Sequence, residues 1–449
     1  MEPNANPTLI QRLGESTFVK LATLGFLLLL LLLPVSRVRS LVNERMGRQQ
    51  EVRHEITRTW GSAQTLLGPV LTVPVEVLRE RPVEKEGDAV KTYWQAHYVR
   101  ILPKSLSWQG EVNPEIRNRG LFEVVLYESE LAASGHFEIP DLGGDDRRVR
   151  WQDAEVALLL STPRGLQREV ILEWGDGEYP FRPGAGLADG LGSGIRVPLS
   201  DLAADSAVPF SFDLSLRGAE ELLFIPVGDL TTVALGSPWQ DPGFVGSFLP
   251  QQRRLDAAGF AADWQVPAFG RGFPGLWWDG QVADVTLDAT AFGVSLILPA
   301  DAYQQTERAV KYAMLFIVLT FGTFFLLEVT SPRRLHAVQY LLVGFAQSVF
   351  YVLLLALAEH LGFAAAYGLA AVATVGLIAA YSASVLGGWR RAGIVGVSLA
   401  LLYGYLFVLL RLEDLALLVG AVGLFAVLAL LMIATRHLDW FSLRWQADR

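Results

Sequence analysis

Apolar and polar residues are distributed along the chain in three distinct patterns. Residues 21–35, LATLGFLLLLLLLPV, are continuously apolar. Phe18 and Val19 extend the run, and Lys20 can carry its ammonium to an interface on a flexible stem. The extended run approaches the roughly 20 residues that a spanning helix needs. Five further apolar runs, at 309–327, 338–358, 364–386, 394–410 and 415–434, have bilayer-spanning length. Their short connections predict antiparallel helix hairpins. Residues 41–60 carry a helical stripe of Val42, Met46, Val52, Ile56 and Trp60. This stripe is either the first span continuing as a stalk or a separate amphipathic helix packed on a domain.

From Gly68 the period changes to that of strands. Segments 68–78, 92–102, 122–129, 135–140, 154–161, 169–174, 209–218, 221–228, 231–236, 258–266 and 285–290 are β-branched, aromatic or alternating. Gly, Pro and Asp separate them. The predicted fold is therefore an integral membrane α-helical bundle of six spans, one N-terminal and five C-terminal. A large all-β, sandwich-like domain is inserted between spans one and two. The expected divisions are 1–36 (cytoplasmic N-terminus and first helix), 37–308 (β-rich domain), 309–434 (five-helix region) and 435–449 (interfacial tail). The glycine-dense stretch 182–194 makes 189–194 the candidate boundary if the β part is two sandwiches.

Charge sets the orientation. Arg333 and Arg334 follow the second span, Arg390 and Arg391 the fourth, and Arg436, Arg444 and Arg449 the sixth. The intervening loops hold Glu359–His360 and Arg411–Glu413–Asp414, with no basic excess. The positive-inside rule puts the basic set in the cytoplasm, together with both termini, and residues 37–308 in the periplasm. Arg37, Arg39 and Arg45 oppose this after the first span, but long domains translocate largely regardless of charge. The sequence PVSRVRS after the first run lacks a small-x-small cleavage site, so an uncleaved anchor is expected.

Composition narrows the chemistry. Only 18% of residues are charged, against about 25% in soluble proteins, and mean hydropathy is +0.33. Residues 37–308 nevertheless carry 26 basic and 38 acidic residues, a net charge of −12, which disfavours nucleic acid as a partner. No cysteine is present, which excludes disulfides, thiol catalysis and cysteine-ligated metals. His54, His97, His136, His336, His360 and His437 form no metal-binding spacing. No G-x-S-x-G elbow or phosphate loop occurs. Carboxylates such as Asp145, Asp146, Asp176, Glu178, Glu220 and Glu221 read individually as solvated surface acids. No catalytic residue, cofactor or metal is expected. No ionisable residue lies at mid-depth of a span, and Gln347 is the most polar side chain there, which argues against transport.

One segment stands out. FGRGFPGLWWDG, residues 269–280, reads as a loop carrying two adjacent indoles that cannot both face one side of a strand. Trp277, Trp278 and Phe273 are its candidate ligand or membrane contacts, with packing beneath a long loop as the alternative.

Residues 306–328 and 334–363 resemble the CreD family of bacterial inner-membrane proteins. The resemblance continues through TLLGPVLTVPVEV (65–77), PGAGLADGLGSGIRVPL (183–199), PGFVGSFLPQQRRLDAAGFAADWQ (242–265) and RHLDWF (436–441). Arg334, His336, Gln339, Gln347, Glu359 and His360 are the polar positions matched in the longest stretch. The resemblance implies an envelope-integrity protein linked to a two-component stress response, with no catalytic residues or cofactor to carry over. The expected function is non-catalytic: adaptation to envelope stress, with the lipid bilayer and an envelope protein, glycan or lipid as partners and the oligomeric state unspecified. The alternatives are an envelope glycan- or lipid-modifying enzyme and a transporter or export component.

Overall fold

The computed structural model describes residues 17–80, 92–188, 190–200, 202–282, 287–296, 302–329, 335–412 and 415–436. Arg12, Asp189, Arg333, Arg334, Glu413, Asp414 and the tail from His437 to Arg449 lie outside the described residues. The chain divides into two compact units, Met1–Gln49 with Ala300–Arg449, and Gln50–Pro299. Helix α1 (Thr17–Trp60) is continuous over 44 residues, so the first span and the 41–60 stripe are one helix.

The second unit is built from strands β1 (Gln64–Glu80), β2 (Thr92–Ile101), β3 (Ser105–Arg119), β4 (Phe122–Ile139), β5 (Arg147–Val149), β6 (Ala154–Leu160), β7 (Ile171–Trp174), β8 (Gly177–Pro180) and β9 (Arg182–Pro183). They are followed by β10 (Gly194–Leu199), β11 (Ser206–Ala219), β12 (Glu221–Phe224), β13 (Leu230–Ser237), β14 (Gly243–Gly246), β15 (Gln252–Asp256) and β16 (Gly259–Pro267). A one-turn helix α2 (Ala268–Arg271) precedes β17 (Leu276–Trp278) and β18 (Phe292–Ser295). The first sheet runs β14-β18-β12-β1-β6-β10-β9, with β2 and β5 also paired to β1 and β17 paired to β2. The second runs β15-β16-β13-β3-β4-β11-β7-β8. Each sheet is antiparallel except for one parallel pair, β1·β12 in the first and β3·β13 in the second.

The inner faces of the sheets meet in one aromatic-rich core. Trp108 lies 5.6 Å from both Phe212 and Phe224, and Trp264 lies 6.0 Å from Phe292. Such edge-to-face and tilted ring pairs stabilise beyond the area they bury. Two expected strand runs, 122–129 and 135–140, merge into the single β4, because Leu131 and Ala133 keep the inward alternation through the small-residue stretch between them. The expected strand at 285–290 is different: its described part, Leu287–Thr290, is a turn. Thr290 N donates to Leu287 O at 3.0 Å, and Thr290 Oγ1 donates to the same oxygen at 2.7 Å.

The membrane unit continues with α3 (Ala302–Lys311), α4 (Ala313–Val329), α5 (Ala337–Leu361), α6 (Phe363–Leu386), α7 (Trp389–Arg411) and α8 (Ala416–Thr435). Helices α1, α5, α6, α7 and α8 are each long and apolar enough to cross a membrane. Helices α3 and α4, bent by 46° at Tyr312, supply the sixth span when the pair counts as one crossing.

Polar side chains cluster at two levels of this unit. At one, Lys20 pairs with the fully buried Glu328, which also accepts from Leu335 N at 2.8 Å and Tyr340 OH at 2.9 Å. At the other, Glu359 lies 3.6 Å from Arg45 and accepts from Tyr303 OH at 3.1 Å, while Arg308 donates to Leu412 O at 3.0 Å. Lys20 and Arg45 are both on α1, about 37 Å apart at 1.5 Å per residue. That exceeds the roughly 30 Å of hydrocarbon by a margin that leaves both levels at interfaces. Between them the polar contacts are neutral: Gln347 donates to Thr320 Oγ1 at 2.6 Å, and Tyr367 OH donates to Tyr403 O at 2.7 Å. His336 caps α5, accepting from Val338 N at 3.3 Å while Gln339 returns a bond to the His336 N–H at 2.9 Å.

Helices α1 and α5 touch where Leu31, fully buried, lies over Gly344. A Cβ at residue 344 collides with the Leu31 side chain. Gly344→Ala is therefore expected to destabilise the full-length protein by about 1–3 kcal/mol, the usual cost of overpacking. Adding Leu31→Ala opens the space, so the double variant recovers part of that loss in detergent thermal melts. Strictly additive losses would refute the direct packing.

Candidate functional site

The segment after β16 is shaped by one buried cation. Arg271, at the end of α2, is almost fully buried. Its Nε donates to Phe273 O at 3.0 Å, Nη1 to Val227 O at 2.8 Å, and Nη2 to Asp229 Oδ1 at 2.9 Å. Lys104 donates to the other Asp229 oxygen at 3.0 Å. Burial pulls the Asp229 carboxyl upward, but hydrogen bonds and charge from Lys104 and Arg271 outweigh it and hold its pKa below the usual 3.8. Asp229 in turn raises the Lys104 ammonium above its usual 10.5.

This anchor delivers residues 276–278 to the edge of the first sheet. There β17 pairs with β2, Trp277 opposite Arg100 and Trp278 opposite Val99. Strand alternation sends the two indoles to opposite faces. Trp277 is buried, with Phe273, itself buried, 6.2 Å away in a T-shaped contact. These two candidate contact residues are core-packed. Trp278 is half-buried and also packs against the edge of that core. Its ring stands 6.1 Å from His97, edge to face, and the Arg147 guanidinium is 5.4 Å above it. Asp279 Oδ1 lies 3.2 Å from His97 Nδ1 and accepts from Tyr98 N at 3.3 Å.

An ionised carboxylate only accepts, so in neutral His97 the proton sits on Nδ1 and Nε2 keeps a free lone pair. Nε2 is buried and without a hydrogen-bond partner among the described residues. No Ser, Thr or Tyr hydroxyl is bonded to it among those residues. No three His, Asp or Glu side chains converge on a metal position among them either.

Sequence reasoning singled out the segment but not the partners of Trp278. Asp279 was adjacent in the chain; His97 and Arg147 came from distant strands, with no local signal linking them to it. Phe269, in the same segment, is the aromatic side chain that is fully exposed.

A family model described as inner membrane protein CreD matches residues 16–441. The chain belongs to the CreD family. It is 32% identical over 437 residues to the inner membrane protein CreD of Escherichia coli (strain K12), an alignment covering 96% of this chain and 95% of that protein. Family membership and the apolar helices together make this an inner-membrane protein.

The two indoles have different expected roles in stability. Trp277→Ala removes a buried ring and should cost about 3–5 kcal/mol. Trp278→Ala should cost well under half of that in the same denaturation experiment, and equal losses would mean that both rings are core.

The Asp229 cluster gives a pH dependence. Because its pKa is depressed on folding, the stability it contributes is complete above pH 3.8 and is lost as pH falls below that through the folded-state value. Thermal midpoints of wild type and Asp229→Asn should differ at pH 7 and converge below pH 3.8. A gap that persists in acid would assign the loss to shape and not charge.

Proposed function

We propose that this protein is a membrane-anchored, non-catalytic binding protein of the cell envelope, acting in envelope integrity and stress adaptation. Residues 37–308 face the periplasm, both termini face the cytoplasm, and the Trp278 face receives an envelope glycan. The observation that carries the reading is the half-buried indole framed by His97, Asp279 and Arg147. A sugar ring needs an apolar plate and hydrogen-bonding groups around its rim, and this face offers both. Support for the orientation comes from Arg390 and Arg391 at the start of α7 and from Arg333 and Arg334 between the second and third spans of the sequence. The neutral mid-depth of the bundle supports an anchor over a transporter. The one feature an enzymatic reading could draw on is the unpartnered His97 Nε2, which is buried and would have to be uncovered before it could act as a base.

Alkaline phosphatase fused after residue 300 or 412 is expected to be active, and after residue 334 or 390 inactive; the reverse pattern would invert the topology. A photo-crosslinking residue at Trp278 in native membranes should yield a glycan adduct. A discrete protein adduct would keep the binding role and replace the glycan. Absence of any adduct, at normal expression, would remove this face as a site. Turnover of the captured glycan separates binding from base catalysis: an enzyme would convert it and lose that conversion with His97→Gln, whereas a binding protein would leave the glycan unchanged in both forms.

A further inference from the structure

A concave site lies on the other sheet, where the last turn of α1 meets the segment between β6 and β7. It is a cavity of about 460 Å³ lined by Thr59, Trp60, Arg164, Gly165, Arg168 and Arg217, among others. Three arginines line it, and among the described residues no acidic side chain does. In a domain with a net charge of −12, a concave surface of this composition is an anomaly.

The architecture holds the cations in place. The short turn Pro163–Gly165 sets Arg164 at its centre, and Gln167 N donates to Ser215 O at 3.1 Å, pinning the segment to β11. A Cβ at Gly165 collides with Arg217 O, so the close approach of turn and strand depends on glycine. Arg217 is steadied by Glu128 at 2.8 Å, whose carboxyl lies below the usual carboxylate range because Arg217 and Gln167 bond to it. Among the described residues, Arg168 has only a long 3.7 Å approach to Glu130 as an ion pair. Arg164 is exposed and has no ion-pair partner among the described residues.

Trp60 is held between two guanidiniums, Arg117 at 4.0 Å and Arg217 at 4.2 Å from the ring centroid. Its Nε1 is buried and has no hydrogen-bond partner among the described residues. The site thus presents an uncommitted arginine, a weakly committed one, a positioned one and an indole N–H with no acceptor. All four are donors.

We infer that this cavity binds an oxyanion, a carboxylate or phosphate carried on a small soluble molecule. Arg164 and Arg168 supply charge-assisted, fork-like hydrogen bonds, for which planar guanidinium is suited. Arg217 and Trp60 line the same cavity. The site is independent of the Trp278 face, since its residues come from α1, the 163–168 segment and β11, so its failure leaves the glycan-binding reading untouched.

The test uses the full-length protein, labelled with 5-fluorotryptophan, in phosphatidylcholine nanodiscs. Trp60→Phe assigns the Trp60 fluorine resonance. Inorganic phosphate and sodium glucuronate are titrated separately, with sodium chloride matched for ionic strength. The expected result is a saturable shift of the Trp60 resonance with one or both oxyanions and none with chloride. Phosphate alone would assign a phosphorylated ligand, and glucuronate alone a carboxylate. Arg164→Gln with Arg168→Gln should weaken the apparent affinity at least about tenfold, since each lost charge-assisted bond contributes on that scale. Arg253→Gln with Arg254→Gln, on the exposed β15, should leave it unchanged. Unmoved resonances from the other tryptophans verify that the variants fold. No saturable shift with either oxyanion, an equal response to chloride, or an undiminished response in the Arg164/Arg168 variant would each overturn the proposal.

Discussion

Glu328 has no exposed surface, and much of the bundle is arranged around keeping that carboxylate satisfied. A buried charge costs several kcal/mol unless it is paired and its remaining lone pairs are bonded. Here one oxygen takes Lys20 and a backbone N–H, and the other takes the Tyr340 hydroxyl. These partners come from α1, from the residues before α5 and from α5 itself, so satisfying one residue of α4 draws three parts of the chain together. The Leu31–Gly344 contact then brings α1 against α5 more closely than any side chain at 344 would permit. At the opposite level, Glu359 plays a lesser version of the same part with Arg45 and Tyr303. The neutral interior between the two levels follows from the same cost.

In the β domain the organising element is β1. It pairs in parallel with β12 near its start and antiparallel with β6, β5 and β2 along its length. Seventeen residues, most of them buried, make it the strand on which the first sheet is assembled. The parallel pairs β1·β12 and β3·β13 require chain segments that leave and return, so neither sheet can be a simple meander.

The two sites are chemically unlike. The Trp278 face combines an aromatic plate with an acceptor and a donor at its rim, while the charged groups of the Trp60 cavity are all guanidinium donors. A domain with many surface acids can maintain a cationic hollow only if its arginines are locally braced, and Glu128 does this from behind Arg217 without lining the cavity. The contrast separates a surface suited to neutral polar rings from one suited to a discrete negative group.

The spans and the inward alternation of most strands were legible in the chain because hydrocarbon and a packed core each impose a one-dimensional pattern: unbroken apolar length in one case, period two in the other. The segment around Trp277 and Trp278 was also legible, since two adjacent indoles on an extended chain must part company. What each indole does depended on β17 pairing with β2, a contact between residues about 180 apart in the chain. Strand β3 was illegible for a related reason. Gly110 and Pro114 interrupt its pattern, yet Pro114 falls beyond the stretch that pairs with β13, where its missing N–H leaves no ladder bond unmade on that side. Pairing of Glu328 with Lys20, of His97 with Asp279, and the gathering of Arg164, Arg168 and Arg217 around Trp60 were decided only by tertiary structure. Charge in a sequence carries no record of its distance from other charge, and Coulomb and hydrogen-bond energies depend on that distance, on orientation and on burial.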